Sequence, residues 1–273
     1  SAPFEELRIS SQEGRTRAVM KIQEGCDRFC AYCIIPSVRG GIRSRSPENI
    51  RAEALRLLGE QFGEEVPFIA TIFSPLAQAK NLAGAQAAVT HMRRYPDAFQ
   101  QGLQRITEST LRYIEAARRT GISGIFYAIQ HARYGLLSPA EYALFGQPYD
   151  EQILAAASDL WLNVIHLHGD DPVFFDIVAD YDVPVINWHD RDCGTNLKEG
   201  LAQVAGAALG GVSRNTVQLG TPADVVAEAR HAVTQTGGRR LILGTGCVVM
   251  TNSPLGNLRA LREFVEEQQD GEE

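Results

Sequence analysis

The sequence predicts an α/β protein, a TIM barrel of the (β/α)8 type. Short, nearly continuous apolar runs alternate with helical stretches along most of the chain. This alternation is typical of a parallel sheet that is covered by helices. The chain has 273 residues, of which 44% are hydrophobic, so it is long enough for one large barrel or for two ordinary domains.

Seven apolar runs are predicted strands. Six of them lie in the 207 residues from Pro67 onward, whereas a complete eight-unit barrel typically needs about 250 residues. We therefore predict that the barrel is incomplete, or that it is patched by a foreign first βα unit. The predicted strands are residues 18–22, 68–73, 124–129, 164–168, 184–188, 207–212 and 241–244.

Helical patterns lie between the strands, and several of them carry start and stop signals. Ser138 and Thr221 each stand directly before a proline, as a capping hydroxyl before a first helical turn does. Gly121 and Gly237 stand where helices are expected to end. The predicted helices are residues 47–58, 97–120, 139–145, 150–160, 197–204, 221–236 and 254–267.

The composition narrows the class of protein. The net charge of −7 is uneven: residues 1–57 carry 10 Lys and Arg against 7 Asp and Glu, and the remainder carries 16 against 26. Such an acidic body is not typical of a nucleic-acid-binding surface. No apolar run approaches the ~20 residues of a membrane span, and the chain does not start like a signal peptide. With five cysteines, three of them clustered, we expect a cytoplasmic protein without a membrane span.

Three of the cysteines form a compact motif. Cys26, Cys30 and Cys33 are spaced C-x3-C-x2-C. Thiolates are the usual ligands of iron–sulfur clusters, and three within eight residues can converge on one [4Fe–4S] cube. The fourth iron would then be open to a substrate or cofactor. A zinc knuckle and a chance spacing are the alternatives.

The flanking residues narrow that choice. The segment Lys21-Ile-Gln-Glu-Gly-Cys26 and, further on, Arg43-Ser-Arg-Ser-Pro-Glu-Asn-Ile50 resemble radical SAM methylthiotransferases. These enzymes attach methylthio groups to tRNA adenosine or to a ribosomal protein. The resemblance runs from about Phe4 to Leu57 and implies a [4Fe–4S] cluster on the three cysteines, with S-adenosylmethionine if the segment is functional. The rest of that family's machinery has no counterpart here, so we expect no productive cleavage of S-adenosylmethionine.

A second set of reactive side chains follows the predicted strands. In a parallel barrel, working groups lie at the carboxyl ends of strands. Four of the six histidines fall there: His131, His166, His168 and His189. His166 and His168 are two residues apart, so in a strand they point to the same side. Together with Cys247, which follows the last strand, they predict a three-ligand zinc site with an open fourth position. The alternative is a polar pocket without metal.

Neighbouring residues complete this candidate site. Asp170 or Asp190 could orient a ligand histidine or act as a general base. We take Asp170, His189 and Asp190 as the catalytic candidates, and Ser74, Gln130 and His131 as the candidates for substrate binding.

From about Glu64 to Val265 the chain resembles the uroporphyrinogen decarboxylase family. The order of the matching motifs is more specific than any single one. They are Val66-Pro-Phe-Ile-Ala-Thr-Ile-Phe-Ser-Pro-Leu76, Gly124-Ile-Phe-Tyr-Ala-Ile-Gln130, Leu137-Ser-Pro-Ala-Glu-Tyr142, Ile165-His-Leu-His-Gly169, Val185-Ile-Asn-Trp188, Gly246-Cys247 and Ser253-Pro-Leu-Gly-Asn-Leu258.

The resemblance has consequences for fold and chemistry. That family has a (β/α)8 barrel and includes haem-pathway decarboxylases as well as zinc-dependent methyltransferases that serve corrinoid proteins and thiols. In the methyltransferases a His-x-Cys pair and a later cysteine hold zinc. His166 matches the histidine, His168 replaces the cysteine of the pair, and Cys247 matches the last ligand. The resemblance therefore implies a small-molecule substrate, a zinc ion and a corrinoid protein as partner, but the replacement puts thiol methylation in doubt.

Both resemblances are partial. The family's N-terminal arginines and aspartate, which bind the substrate of the true decarboxylases, have no counterpart in this chain. We predict two domains, a radical SAM segment over residues 1–58 and a barrel over residues 64–268, with a junction near 58–65. The junction is a natural fusion, a truncation or an assembly artefact.

Three functions follow from these patterns. The first is an enzyme of the uroporphyrinogen decarboxylase family that decarboxylates a tetrapyrrole-like acid or transfers a methyl group with the help of zinc. The second is a radical SAM methylthiotransferase, and the third is a non-catalytic protein in which both sites are vestigial.

Overall fold

The structure, a computed structural model, describes residues 23–24, 43–44, 47–63 and 65–270. The predicted strand 18–22 and the three cysteines of the C-x3-C-x2-C motif lie outside these residues. The chain divides into two compact units, one of residues 1–67 with 115–121 and the other of residues 68–114 with 122–273. The predicted domain boundaries, 1–58 and 64–268, stay a prediction.

The first unit contains two short strands and a helix among its described residues. Strands β1 (Gln23–Glu24) and β2 (Arg43–Ser44) pair in antiparallel fashion. Helix α1 (Pro47–Phe62) contains the predicted helix 47–58 and extends it by one turn. The helix continues through Gly59, whose carbonyl accepts a hydrogen bond from the Gly63 amide at 2.9 Å.

The second unit is built on a six-stranded parallel sheet. Each strand pairs with the next one along the chain, which is the strand order of a TIM barrel. This confirms the predicted fold class, and six of the eight strands of such a barrel are present in the described part of the chain. The strands are β3 (Ile69–Phe73), β4 (Gly124–Ile129), β5 (Val164–Leu167), β6 (Val185–Trp188), β7 (Ala207–Val212) and β8 (Leu241–Thr245).

Helices connect the strands, as βαβ units require. Within the described residues, each helix is too short or too polar to cross a lipid bilayer. The helices are α2 (Pro75–Ala83), α3 (Ala85–Arg94), α4 (Pro96–Arg118), α5 (Pro139–Phe145), α6 (Gln147–Ala156), α7 (Phe175–Ala179), α8 (Leu197–Leu201), α9 (Arg214–Leu219), α10 (Pro222–Thr236) and α11 (Leu255–Asp270).

The capping signals that predicted α5 and α10 operate as expected. Ser138 Oγ accepts a hydrogen bond from the Glu141 amide, and Glu141 accepts one from the Ser138 amide in return. Thr221 and Asp224 form the same capping box at α10. Four helices were not predicted, namely α2, α3, α7 and α9. Helices α7 and α9 have only five and six residues, too few for a periodic pattern to stand out.

Alternation along each strand separates two layers of side chains. Phe126 and Ala128 of β4 face the barrel interior, whereas Ile125 and Tyr127 face the opposite side of the sheet, where they are fully buried. Strands β5 and β6 are buried along their whole length. The strands therefore appear as continuous apolar runs in the sequence, and the polar residues within those runs are candidates for a functional role.

A buried carboxylate on helix α6 lies on the side of the sheet away from the barrel interior. Asp150 of α6 is 1% exposed, and its carboxylate accepts hydrogen bonds from Tyr127, at 2.5 Å, and from Tyr142. The Tyr181 hydroxyl lies 3.5 Å from the same carboxylate. Burial raises the pKa of Asp150 to about 7, although the three hydroxyls oppose that rise.

We expect this carboxyl group to make the stability of the fold depend on pH. Its pKa is higher in the folded state than in the unfolded state, so unfolding releases a proton between about pH 4 and pH 7. Across that interval its contribution lowers the free energy of unfolding by up to about 1.4 kcal/mol per pH unit as the pH rises. Asp150→Asn should lack this contribution. From pH 4.5 to pH 7.5 the free energy of unfolding of the variant, measured in urea, should therefore rise relative to that of the parent protein.

The matched control is Glu263→Gln, which removes an exposed carboxylate of α11. Its difference from the parent protein should stay constant over the same range. A constant difference for Asp150→Asn as well would contradict the buried, proton-retaining carboxyl group.

Candidate functional site

The candidate site is a cavity of about 530 Å³ at the carboxyl ends of the parallel strands. This volume is in the range of small-molecule sites, roughly 300–1,000 Å³. Its walls come from the interior-facing residues of all six strands. Apolar side chains such as Phe73 and Phe126 form one part, and the polar residues Gln130, His166, His168, Asn187 and Cys247 form the rest.

Three of these polar side chains, His166, His168 and Cys247, converge on one point with His189. The potential ligand atoms of His166, His168, His189 and Cys247 all lie within 4.8 Å of one another. Cys247 Sγ is 3.8 Å from His166 Nε2 and 3.6 Å from His168 Nδ1. His189 Nε2 is 3.3 Å from the same His168 Nδ1. The predicted proximity of His166, His168 and Cys247 is therefore observed, and His189 joins them.

These separations match those of donors around a tetrahedral zinc ion. With zinc–nitrogen bonds of about 2.0–2.1 Å and a zinc–sulfur bond of about 2.3 Å, tetrahedral nitrogen donors stand ~3.3 Å apart. A nitrogen and a sulfur donor stand ~3.6 Å apart in the same geometry. The observed contacts of 3.3, 3.6 and 3.8 Å fit both values, so the residues present fit a zinc ion. Binding of the metal itself stays a prediction.

Asn187 determines which nitrogen of His166 is available. The Asn187 amide nitrogen donates to Leu209 O at 2.7 Å and to Thr245 O at 3.1 Å, so its oxygen faces His166 Nδ1 at 2.5 Å. His166 must therefore carry its proton on Nδ1. The lone pair is left on Nε2, the atom that faces Cys247, which is the arrangement of a metal ligand held by a neighbouring hydrogen bond.

The three imidazoles of the site are held in the neutral state. Burial is the largest cause in each case, and it lowers the pKa of His166 to about 3. The pKa values of His168 and His189 are also lowered by burial; for His189 the nearby Asp170 carboxylate opposes this shift. Neutral imidazole is the form that donates to a metal ion.

An acidic and a basic residue surround the outer side of this group. Asp170 Oδ1 lies 2.7 Å from His189 Nδ1, although the angle of approach is poor for a hydrogen bond. Arg214 bridges the site, with one guanidinium nitrogen 3.6 Å from Asp170 Oδ2 and the other 3.5 Å from Cys247 Sγ. Of the two aspartates considered from the sequence, Asp170 is the one in contact with a histidine of the site.

One glycine and two hydrogen bonds hold the backbone in place at Cys247. A Cβ atom on Gly246 would lie 2.6 Å from Trp188 O, so the chain can pass this close to β6 only without a side chain. The Gly246 amide then donates to Val212 O at 3.1 Å, and Thr245 Oγ1 donates to Cys247 O at 2.5 Å. The thiol is thereby held against the histidines.

The structure distributes the other predicted site residues differently. Gln130 lines the cavity, as expected. His131 is buried, and its Nδ1 has no hydrogen-bond partner among the described residues. Ser74 does not line the cavity; its hydroxyl caps α2 by accepting a hydrogen bond from the Ala77 amide at 3.3 Å. Substrate binding by Ser74 and His131 stays a prediction.

Asp190 turns toward β7 and away from the donor group, and a catalytic role for it stays a prediction. Its Oδ1 accepts a hydrogen bond from the Gly211 amide at 3.1 Å and would lie 2.7 Å from a Cβ atom on Gly210. The reason is alternation: His189 points toward the donor group, so the next residue points away from it and braces β7.

Two residues of the site, Asn187 and Arg214, were not singled out from the sequence. Asn187 stands inside a predicted strand, and a polar residue in an otherwise apolar run was a usable signal. Arg214 had no such signal, because it reaches the site from a helix that was not predicted.

The role of Asn187 leads to a test. We expect Asn187→Ala to weaken metal binding about 10- to 100-fold, because His166 loses the acceptor that fixes its tautomer. It should also cost roughly 2 kcal/mol of stability or more, because two carbonyl groups lose their donor. Metal affinity is measured by competition with a chromophoric chelator, and stability by urea unfolding.

Asn257→Ala is the matched control. Asn257 is also buried and also bridges two carbonyl groups, Val217 O and Gly220 O, but it is not part of the site. It should lose stability without losing metal affinity. Equal metal affinity in both variants would contradict the role of Asn187.

Several curated relatives match a short part of the chain. The threonylcarbamoyladenosine tRNA methylthiotransferase MtaB of Bacillus subtilis is 48% identical over 63 residues, which is 23% of this chain and 14% of that protein. The tRNA-2-methylthio-N(6)-dimethylallyladenosine synthase of Pelotomaculum thermopropionicum is 50% identical over 62 residues, again 14% of its length. The chain thus spans about a seventh of these relatives, and the match agrees with the resemblance seen in the N-terminal segment.

Solved structures match the barrel. A methyltransferase from Methanosarcina mazei superimposes with a TM-score of 0.72 at 23% identity, over 83% of this chain and 66% of that one. A B12-independent methionine synthase from Shewanella sp. W3-18-1 superimposes with a TM-score of 0.60 at 13% identity, over 85% of this chain and 70% of that one. At these identities the likeness establishes the fold alone.

The family model of uroporphyrinogen decarboxylase (URO-D) matches residues 44–268. The match covers most of the chain, and it includes all six parallel strands and every residue of the candidate site. The barrel order of the strands and the motifs along them agree with it. The chain belongs to the uroporphyrinogen decarboxylase family.

Proposed function

We propose that this protein is an enzyme that transfers a methyl group to or from a small molecule with the help of a bound zinc ion. The observation that carries the proposal is the group of three histidines and one cysteine whose donor atoms lie within 4.8 Å of one another. This group opens on a cavity large enough for a small substrate.

Each residue of the group has a proposed task. His166, His168 and Cys247 would hold the zinc ion, and His189 would be the fourth donor or leave its position to the substrate. Zinc at such a site acts as a Lewis acid and keeps a coordinated thiol deprotonated. Asn187 holds the tautomer of His166. Asp170 orients His189 and Arg214 balances the charge of the Cys247 thiolate.

The comparisons support methyl transfer only through the names of the structural neighbours. One is described as a methyltransferase and the other as a methionine synthase. The proposed partner is therefore a methyl donor, either a small molecule or a corrinoid protein. Decarboxylation of a tetrapyrrole-like acid is less well supported, because the geometry indicates no role in it for three imidazoles and a thiol.

The zinc content of purified protein tests this proposal. We expect one equivalent of zinc in the parent protein and a large loss in Cys247→Ala, because the thiolate is the only charged donor of the group. Cys193→Ala is the matched control: Cys193 is also a buried free cysteine, but it is not part of the donor group. His231→Ala, outside the group as well, should retain zinc.

An equal zinc content in Cys247→Ala and Cys193→Ala would remove the basis of the proposal. These residues would then be the polar lining of a pocket without metal.

We infer a second function for the N-terminal segment, the binding of a [4Fe–4S] cluster by Cys26, Cys30 and Cys33. These cysteines lie outside the described residues, so the support is the spacing of the motif together with the identity to methylthiotransferases. The proposal includes S-adenosylmethionine as a cofactor only if the segment is functional.

Anaerobic reconstitution with iron and sulfide is the corresponding experiment. The parent protein and Cys193→Ala should develop the broad visible absorption of an iron–sulfur cluster, whereas Cys30→Ala should not. A cluster that forms equally well in Cys30→Ala would contradict the assignment.

A further inference from the structure

A second group of donor atoms lies on the outer side of His189. A ring nitrogen of His189 and carboxylate oxygens of Asp170 and Asp192 lie within 4.8 Å of one another. The nitrogen on this side is Nδ1, which is 2.7 Å from Asp170 Oδ1, whereas Nε2 faces His168. This outer group contains nitrogen and oxygen donors and no thiol, so its chemistry differs from that of the group around Cys247.

The Nδ1 atom of His189 is buried and lacks a hydrogen bond. The side chain of His189 is 1% exposed, and its Nδ1 has no hydrogen-bond partner among the described residues. Asp170 Oδ1 lies 2.7 Å away, but at an angle that is poor for a hydrogen bond. Adjacent donors around an octahedral ion with bonds of ~2.1 Å stand ~3.0 Å apart. The two atoms are therefore spaced like neighbouring ligands of one ion, which would account for the unpartnered nitrogen.

The backbone brings the three side chains together at one end of the barrel. His189 O accepts hydrogen bonds from the Asp192 and Cys193 amides, both at 2.9 Å, so a tight turn after β6 returns Asp192 to His189. Asp170 follows β5, the strand that pairs with β6. The group thus follows the carboxyl ends of two adjacent strands, where a parallel barrel has its working residues.

Arg214 orients Asp170 without contacting the oxygen that faces His189. One guanidinium nitrogen lies 3.6 Å from Asp170 Oδ2, whereas Oδ1 is the oxygen beside His189. The charges of the two carboxylates together exceed that of this guanidinium, so the group favours a cation. Asp170 and Asp192 are both exposed, which gives an ion and its water ligands a path from solvent.

We propose that His189, Asp170 and Asp192 bind a second divalent metal ion, separate from the zinc ion of the proposed function. One imidazole, two carboxylates and water molecules suit a first-row ion that prefers octahedral coordination, of which Mn²⁺ is the example used here. Mn²⁺ prefers oxygen donors to sulfur, so it discriminates against the group around Cys247. The outer site stands on its own three side chains and does not require methyl transfer.

His189 serves only one of the two ions at a time. A neutral imidazole has a single lone pair, so His189 binds the outer ion through Nδ1 or the zinc ion through Nε2. When Nδ1 serves the outer ion, His166, His168 and Cys247 remain as the zinc ligands and the fourth position is left to the substrate. This consequence rests on the proposed function, whereas the outer site itself does not.

Titration with Mn²⁺, followed by electron paramagnetic resonance, tests the outer site. The signal of free Mn²⁺ falls on binding, and electron spin-echo modulation detects a nitrogen that is bound to the ion. We expect one bound Mn²⁺ with nitrogen modulation in the parent protein. Asp192→Asn should weaken Mn²⁺ binding about tenfold or more, because loss of a ligand costs at least as much as loss of a ligand's partner. His189→Gln should remove the nitrogen modulation.

Two further variants serve as controls. Asp180→Asn removes an aspartate that is also exposed but is not part of the group, and it should retain the Mn²⁺ affinity of the parent protein. Cys247→Ala separates the two metal positions, because it should lose zinc and keep the bound Mn²⁺. Circular dichroism checks that each variant is folded.

The outcomes separate the outer site from the zinc proposal. A loss of Mn²⁺ affinity in Asp192→Asn but not in Asp180→Asn, with nitrogen modulation that depends on His189, supports the site in zinc-loaded and in zinc-free protein. A parent protein without zinc would remove the proposed function and leave this result intact. Equal Mn²⁺ affinity in the two aspartate variants, bound Mn²⁺ without nitrogen modulation, or no bound Mn²⁺ overturns the outer site.

Discussion

The site depends on one side-chain amide inside the barrel. Asn187 lies on β6, donates to carbonyl groups of β7 and β8, and accepts from His166 on β5. A single residue thus ties four neighbouring strands together at the level of the cavity. Because both of its N–H groups are used, its oxygen can only accept, and this sets the proton on His166. Packing of the strands and the chemistry of the imidazole are therefore coupled through the same three hydrogen bonds.

Burial shapes the rest of the site. His166 and His189 are buried and His168 is half-buried, so the charged form of each imidazole is disfavoured and its pKa is lowered. Asp170 and Arg214 form an ion pair at 3.6 Å beside the donor group. Three imidazoles and a thiol at this spacing are suited to a zinc ion.

Two protein families match this chain. Residues 44–268 match the uroporphyrinogen decarboxylase family, whereas curated methylthiotransferases match only 63 residues or fewer of this chain at about 50% identity. The family match begins at residue 44 and includes α1, ahead of the domain start at residue 64 that the motifs predicted. The six parallel strands and the cavity belong to the family-matched part. The cysteine motif supports a separate proposal, a [4Fe–4S] cluster, which is argued from its spacing and from the methylthiotransferase matches.

Much of the architecture was readable from the sequence, because it rests on local rules. Apolar runs and capping residues identified the six strands and helices such as α5 and α10, and the spacing of His166 and His168 put both on one side of a strand. The convergence of these two with Cys247 followed from the shared end of parallel strands. What required the tertiary structure were contacts between residues far apart in the chain. Asp190 turned toward β7, Ser74 became a helix cap, Asn187 entered the site from β6, and Arg214 entered it from the short helix α9. Such roles depend on register and on the direction of each side chain, which packing between elements decides and periodicity along one element cannot.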